Sequence, residues 1–240
     1  MVATPTNLTK NGSSVSATSY ATASVTFTAG RFYLVSFASR TGITADPTQP
    51  TATATGMTFT VVATNGTQIY DTTGSSRKRQ TLFYALCSST TTVAVTFDEA
   101  GQTQTNAQWS IDEIASGLVT TGTNGVDAIV QSAKNADPSA TASTLTVTLA
   151  SFSSANNATY GTFANGGGTT TVTPGSGFTQ ISNDSTSTLA MLTEFNSGND
   201  TTVDFGNNSV NDEMGGIALE LNASVTVNTL GYKSLLGVGM

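Results

Sequence analysis

Two stretches of this chain carry the same order of strand-like segments, once between Ser16 and Ser116 and again between Ser139 and Ala223. Ser16-Ala17-Thr18 returns as Ser139-Ala140-Thr141, and Val25-Thr26-Phe27-Thr28 as Leu145-Thr146-Val147-Thr148. Gly56-Met57-Thr58-Phe59 lines up with Gly177-Phe178-Thr179, Thr81-Leu82 with Thr188-Leu189, and Thr96-Phe97 with Asp204-Phe205. Each half closes on a glutamate followed by an aliphatic residue, Glu113-Ile114 and Glu220-Leu221. The offset between matched positions shrinks between Gly56/Gly177 and Leu82/Leu189, so the first half carries an insertion there. That insertion holds the one basic cluster, Arg77-Lys78-Arg79. A degenerate duplication restricts the fold to pseudo-symmetric architectures and by itself implies no catalysis.

The repeated segments are four to eight residues long, rich in Val, Phe, Thr and Tyr, and separated by Gly, Asn, Asp and Ser, which is strand-and-turn punctuation. In the first half they are Ser24–Thr28, Phe32–Ser39, Met57–Thr64, Thr81–Cys87, Thr92–Phe97 and Gln108–Ala115. The second half offers Thr144–Ala150, Ala158–Ala164, Gly177–Ser182, Leu189–Phe195, Thr201–Phe205 and Gly216–Leu221, with a short extra strand at Ala128–Gln131 in the connection. Alternation places Trp109, Ile111 and Glu113 on one face. The 47 threonines suit a pleated, wetted surface, and charged residues are only 10% of the chain against about 25% in a typical domain. No long 3.6-residue apolar period exists. These features predict an all-β, two-sheet, jelly-roll-like β-sandwich built from two degenerate pseudo-repeats, with very little helix. The expected layout is an N-terminal arm over 1–15, a sandwich over 16–224 (repeats 16–116 and 139–224), and an apolar C-terminal arm over 225–240.

Absences narrow the chemistry. Without histidine, Ser-His and Cys-His nucleophile systems and the usual zinc sites are excluded. The acidic pairs Asp98-Glu99, Asp112-Glu113 and Asp212-Glu213 point their side chains to opposite faces of a strand, so no such pair flanks a glycosidic bond. Asn199, Asp200, Asp204, Asn207, Asn208, Asn211 and Asp212 concentrate oxygens that suit calcium, yet they lack EF-hand spacing and suit Asx turns better. We therefore expect no catalytic residue, metal or cofactor. A net charge of −7 argues against nucleic acid as a partner, and no stretch approaches the roughly 18 apolar residues of a membrane helix. The N-terminus lacks the basic and apolar regions of a signal peptide, which predicts synthesis in a cytoplasm as a soluble chain. Cys87, the single cysteine, is expected as a small buried hydrophobe. Glu113 and Glu220 are expected to hold turn amides or to pair with a base such as Arg31 or Arg40. Arg77, Lys78 and Arg79 read either as a solvated loop tip or as a contact for phosphate or an acidic neighbour.

Gly177-Phe178-Thr179, the run Leu189-Ala190-Met191-Leu192-Thr193-Glu194, the turn and strand Gly198-Asn199-Asp200-Thr201-Thr202-Val203 and the ending Gly216-Ile217-Ala218-Leu219-Glu220-Leu221 resemble a β-sandwich family of structural proteins from tailed bacteriophages. Trp109-Ser110-Ile111-Asp112-Glu113-Ile114 is the matching ending in the first half. The resemblance spans residues 16–224 and implies a virion component: a capsid cement or decoration protein, a head fibre or a tail accessory. It carries over no catalytic residue.

On that basis the expected function is a non-enzymatic decoration protein on the capsid exterior, assembled in the host cytoplasm, with the major capsid protein as partner and a homotrimer as the form suited to a three-fold position. Leu230, Tyr232, Leu235 and Leu236 are the expected contacts, because apolar patches mark interaction sites. The alternative is a tail or fibre module that binds host cell-surface carbohydrate through the Tyr70–Arg79 insertion, with Arg77, Lys78 and Arg79, and the Asp46–Pro50 loop. A bacterial surface adhesin is a third reading, disfavoured by the missing signal peptide.

Overall fold

The structure, a computed structural model, describes residues 1–72, 76–139, 141–167, 172–186, 188–205 and 212–224. Strands of the first half are β1 (Thr6–Ser13), β2 (Ser19–Ala21), β3 (Val25–Phe27), β4 (Phe32–Thr41), β5 (Thr51–Ala54), β6 (Met57–Thr58), β7 (Thr60–Val61), β8 (Thr67–Asp71), β9 (Lys78–Leu86), β10 (Thr91–Val93), β11 (Thr96–Asp98) and β12 (Gln104–Ile114). A short 3₁₀ segment, Thr123–Ala128, follows. Then come β13 (Ile129–Asp137), β14 (Leu145–Thr148), β15 (Ala158–Asn165), β16 (Thr179–Thr186), β17 (Leu189–Asn196), β18 (Thr202–Phe205) and β19 (Met214–Leu221). The described chain is thus all-β with little helix, and its ladders are antiparallel.

One large sheet runs β1-β12-β4-β9-β7, with β8 also on β9, and the other runs β13-β19-β15-β17-β16. Each begins with a strand that opens its half and pairs it with the strand that closes it, β1 with β12 and β13 with β19. Smaller sheets, β10-β3 and β2-β11-β5-β6 in the first half and β14-β18 in the second, complete the set.

Side-chain alternation assigns each face of the large sheets to a different core. Tyr33, Val35 and Phe37 of β4 join Phe27, Phe97, Trp109 and Ile111 between the first large sheet and its small sheets. Phe163, Leu192 and Ala218 join Val147, Val203 and Phe205 in the second half. The intervening residues Phe32, Leu34, Leu82, Tyr84 and Ile114 pack against Tyr160, Phe195, Ile217, Leu219 and Leu221, which joins the two large sheets face to face. Burying each such Leu, Ile or Phe contributes roughly 1.5–3 kcal/mol. Covering both faces explains why β15 and β19 are buried at every residue, where a one-sided sheet would alternate.

The seam between the large sheets is partly polar. Asp112, fully buried, accepts hydrogen bonds from Asn7 Nδ2 at 2.8 Å, Tyr160 OH at 2.9 Å and Ser110 Oγ at 3.1 Å. Ser110 and Ser182 hydroxyls meet at 2.8 Å, Gln80 Nε2 reaches Thr162 Oγ1 at 3.2 Å, and Gln68 Nε2 reaches the Gly216 carbonyl at 3.0 Å. At the margins β1 packs against β16 and β13 against β8, so each half lends its opening strand to cover an edge of the other.

Several expectations are corrected here. The segment 1–15, expected as an N-terminal arm, carries strand β1, which is paired along β12. The short strand expected at Ala128–Gln131 is the long β13. Thr92–Phe97 splits into β10 and β11, which serve different small sheets because the Thr22 hydroxyl and the Val95 amide bond between them. The arm at 225–240 lies outside the described residues.

Candidate functional site

The basic triplet sits where β9 begins, and its three residues do three different things. Lys78 pairs in register with Arg40 of β4 and Asp71 of β8, which turns its side chain into the molecule. It is 4% exposed, with Nζ 2.8 Å from Asp71 Oδ2 and 2.9 Å from Glu213 Oε2. Arg77 binds Asp46 Oδ1 at 2.5 Å, while Arg79 donates to the Pro47 carbonyl at 2.7 Å and to Thr67 Oγ1 at 2.9 Å. Gln102 secures the same loop, accepting from the Thr48 amide at 2.5 Å and donating to the Asp46 carbonyl at 2.9 Å. The triplet is therefore no solvated loop tip: strand register buries its centre, and its flanks pin the Asp46–Pro50 loop.

Asp212 and Glu213 share the surroundings of Lys78 and shift each other in opposite directions. Burial, then the neighbouring Glu213, pushes the Asp212 carboxyl up to about 6. Burial alone would raise Glu213 as well, but the hydrogen bonds from Asp212 and Lys78 outweigh it and hold that carboxyl at about 2. Two buried donors nearby, the Tyr70 hydroxyl and Asn165 Nδ2, have no hydrogen-bond partner among the described residues. Tyr70 lies close enough to Asp212, Asp71 and Glu213 for their charges to raise its pKa further beyond the effect of burial. A Cβ at Gly166 would fall 2.7 Å from Lys78 Cε and Nζ, so only glycine lets the backbone close over the amine there. The result is an enclosed ammonium in contact with two carboxylates, joining the β8–β9 edge of one half to the segment that opens β19 in the other.

Other sequence candidates fall elsewhere. Glu113 pairs with Arg31 and accepts the Tyr33 hydroxyl at 2.7 Å, while Glu220 accepts the Ser153 amide at 3.0 Å and Asn157 Nδ2 at 2.5 Å. Both glutamates take the structural roles expected of them, one with a base and one with a turn amide. Asp200 caps the Thr202 amide at 2.9 Å and Asp204 accepts Thr146 Oγ1 at 2.7 Å, which is turn and ladder chemistry. Asp212 instead joins Lys78 and Glu213. Among the described residues no group of three or more acidic or cysteine side chains is placed to hold a metal ion. Asn207, Asn208 and Asn211 lie outside the described residues, as do Leu230, Tyr232, Leu235 and Leu236.

Sequence reasoning missed three buried acids. Asp112 is raised by burial, against the hydrogen bonds from Asn7, Thr193, Tyr160 and Ser110 that favour its charge. Burial pushes Glu99 up to about 7, with the Ser39 hydroxyl and Arg79 pulling back. Glu194 is pushed up to about 8 by burial, opposed by the Gly175 amide. The available signal was position: Asp112 and Glu194 sit inside the strands Gln104–Ile114 and Leu189–Asn196, each buried on both faces along nearly its whole length, where an acid does not face water.

Exposed large hydrophobics are scattered, except that Val126 and Val130 border a cleft of about 330 Å³ lined also by Val62, Tyr84 and Ile129. No described helix is long and apolar enough to cross a membrane. The chain matches no protein-family model, no curated protein and no solved structure.

Proposed function

We propose that this chain is a non-enzymatic structural protein of a virion, a decoration protein that binds the outside of a phage head and stabilises contacts between copies of the major capsid protein, as a homotrimer at a three-fold position. We read its two halves as degenerate copies of one jelly-roll-like sandwich. The single observation that carries the functional reading is the doubly covered pair of large sheets, joined through a buried seam and clasped at both margins with no disulfide. Such a body suits assembly in a reducing cytoplasm followed by service outside the cell. The sequence resemblance supports the same reading, since its residues lie in β12, β16, β17, β18 and β19 and in the bends just before β16 and β18.

The test is co-sedimentation of the full chain, and of a version ending at Ser224, with phage heads stripped of accessory proteins. Saturable binding that raises head resistance to heat, and that is lost without 225–240, supports the proposal. Failure to bind heads together with binding to host cells overturns it in favour of carbohydrate recognition.

A further inference from the structure

The enclosed amine of Lys78 is held against two carboxyl groups inside an ordered β-sheet edge. A primary amine fixed at hydrogen-bond distance from a carboxyl group, with a second carboxylate touching the same nitrogen, is the reactant set for amide formation, and fixed geometry of this kind substitutes for a high effective concentration. We propose that Lys78 and Asp71 condense into an intramolecular amide, with Glu213 as the proton carrier. Asp71 is the acceptor because it is the more buried carboxyl of the two and lies opposite Lys78 in the β8–β9 ladder. This modification is independent of where the protein is deployed.

The step balances without an outside reagent. The Lys78 ammonium gives one proton directly to the Asp71 oxygen it touches, so that neutral Nζ attacks Cγ of a protonated acid. The Nζ–Cγ bond forms, Glu213 takes the second, now acidic, proton from the attacking nitrogen and passes it to the departing hydroxyl, and one Cγ–O bond breaks. The water that leaves carries one oxygen from Asp71 and two hydrogens from Nζ, Glu213 ends as it began, and one positive and one negative charge disappear together. The unpartnered Tyr70 hydroxyl and Asn165 Nδ2 are donors of the type that stabilise the oxyanion of such an intermediate. The Gly166 backbone over the amine keeps bulk water from reversing the reaction. A neutral amide also relieves the cost of burying the ion pair, and its N–H remains a donor to Glu213.

Whole-protein mass spectrometry of the purified, denatured chain tests this directly. The expected mass is that of the sequence less one water, with a tryptic peptide in which Lys78 resists cleavage and is joined to Asp71. Glu213→Gln should restore the full mass while circular dichroism still reports folded β structure, and Lys78→Met should do the same. A wild-type chain of full sequence mass overturns the proposal whether or not the variants fold. A linkage from Lys78 to Glu213 overturns the assignment of Asp71 as acceptor.

Discussion

Lys10 and Lys134 make the same bond from opposite sides of the molecule: Lys10 Nζ donates to the Asn183 carbonyl and Lys134 Nζ to the Thr67 carbonyl, both at 2.8 Å. Lys10 stands opposite Ser110 in β12 and Lys134 opposite Ile217 in β19, each three residues before the glutamate that marks the end of its half. The acceptors lie on β16 and β8, edge strands whose outward carbonyls would otherwise be open to pairing with another chain. Both lysines are exposed, so the bonds compete with water. Lys10→Met and Lys134→Met should each lower stability by less than about 1 kcal/mol, and the double variant should show the sum, because the sites share no partner. Urea midpoints measure both; a strongly non-additive double variant would mean that the margins open together.

The buried acids set an uncommon pH profile. Glu99 at about 7 and Glu194 at about 8 stand above the ordinary 4.5, and Asp212 at about 6 stands above 3.8. The folded protein therefore keeps protons that the unfolded chain has released. This stabilisation is complete below the ordinary values and is lost as pH rises through 6 to 8. Glu213, at about 2 while Lys78 keeps its charge, works the other way: its contribution is present above 4.5 and lost as pH falls through 2. Tm should peak at roughly pH 4–5 and decline toward pH 9, with a stability loss on the order of a few kcal/mol. Glu99→Gln with Glu194→Gln should flatten the alkaline limb in calorimetry. A Tm that climbs from pH 5 to pH 9 contradicts the assignment.

Gly216 in β19 has no room for a side chain. A Cβ there would lie 2.5 Å from Phe163 Cε1 and 2.8 Å from Val147 Cγ2. Gly216→Ala should cost about 1–3 kcal/mol by overpacking. Combining it with Phe163→Leu should recover part of that cost, which a double-mutant cycle in urea would reveal as favourable coupling.

Cys87 is 1% exposed, burial raises its thiol, and Sγ donates to the Ser89 carbonyl at 3.1 Å. The native protein should leave a thiol reagent unconsumed at pH 8 and react stoichiometrically once unfolded in urea. Rapid native labelling would show that the β9 end opens on its own.

The sequence revealed the sheet faces better than the sheet edges. Trp109 and Ile111 do share a core, and Glu113 reaches Tyr33 on the same side, because alternation is written in apolar residues. Strand β1, Thr-Asn-Leu-Thr-Lys-Asn-Gly-Ser, has almost no apolar signal, since its register comes from β12 and its cover from β16. The burial of Lys78 was equally hidden: a run of three basic residues reads as solvent-facing, and only the pairing of residues distant in sequence, Asp71 and Glu213, makes a place for the middle one. Asp112 escaped notice for a related reason, because its partners Asn7 and Tyr160 come from a strand missed in the sequence and from the other half.

The face-to-face seam also dictates an order of events during synthesis. When the ribosome has released the first half, Phe32, Leu34, Leu82 and Ile114 have no cover, for their partners Tyr160, Ile217 and Leu219 have yet to be made. The nascent sheet must wait with an apolar face open, and the contacts that close it span much of the chain, which makes folding slow. During that wait a neighbouring nascent copy offers the same kind of face, so the hazard for this protein is greatest before its last strand emerges.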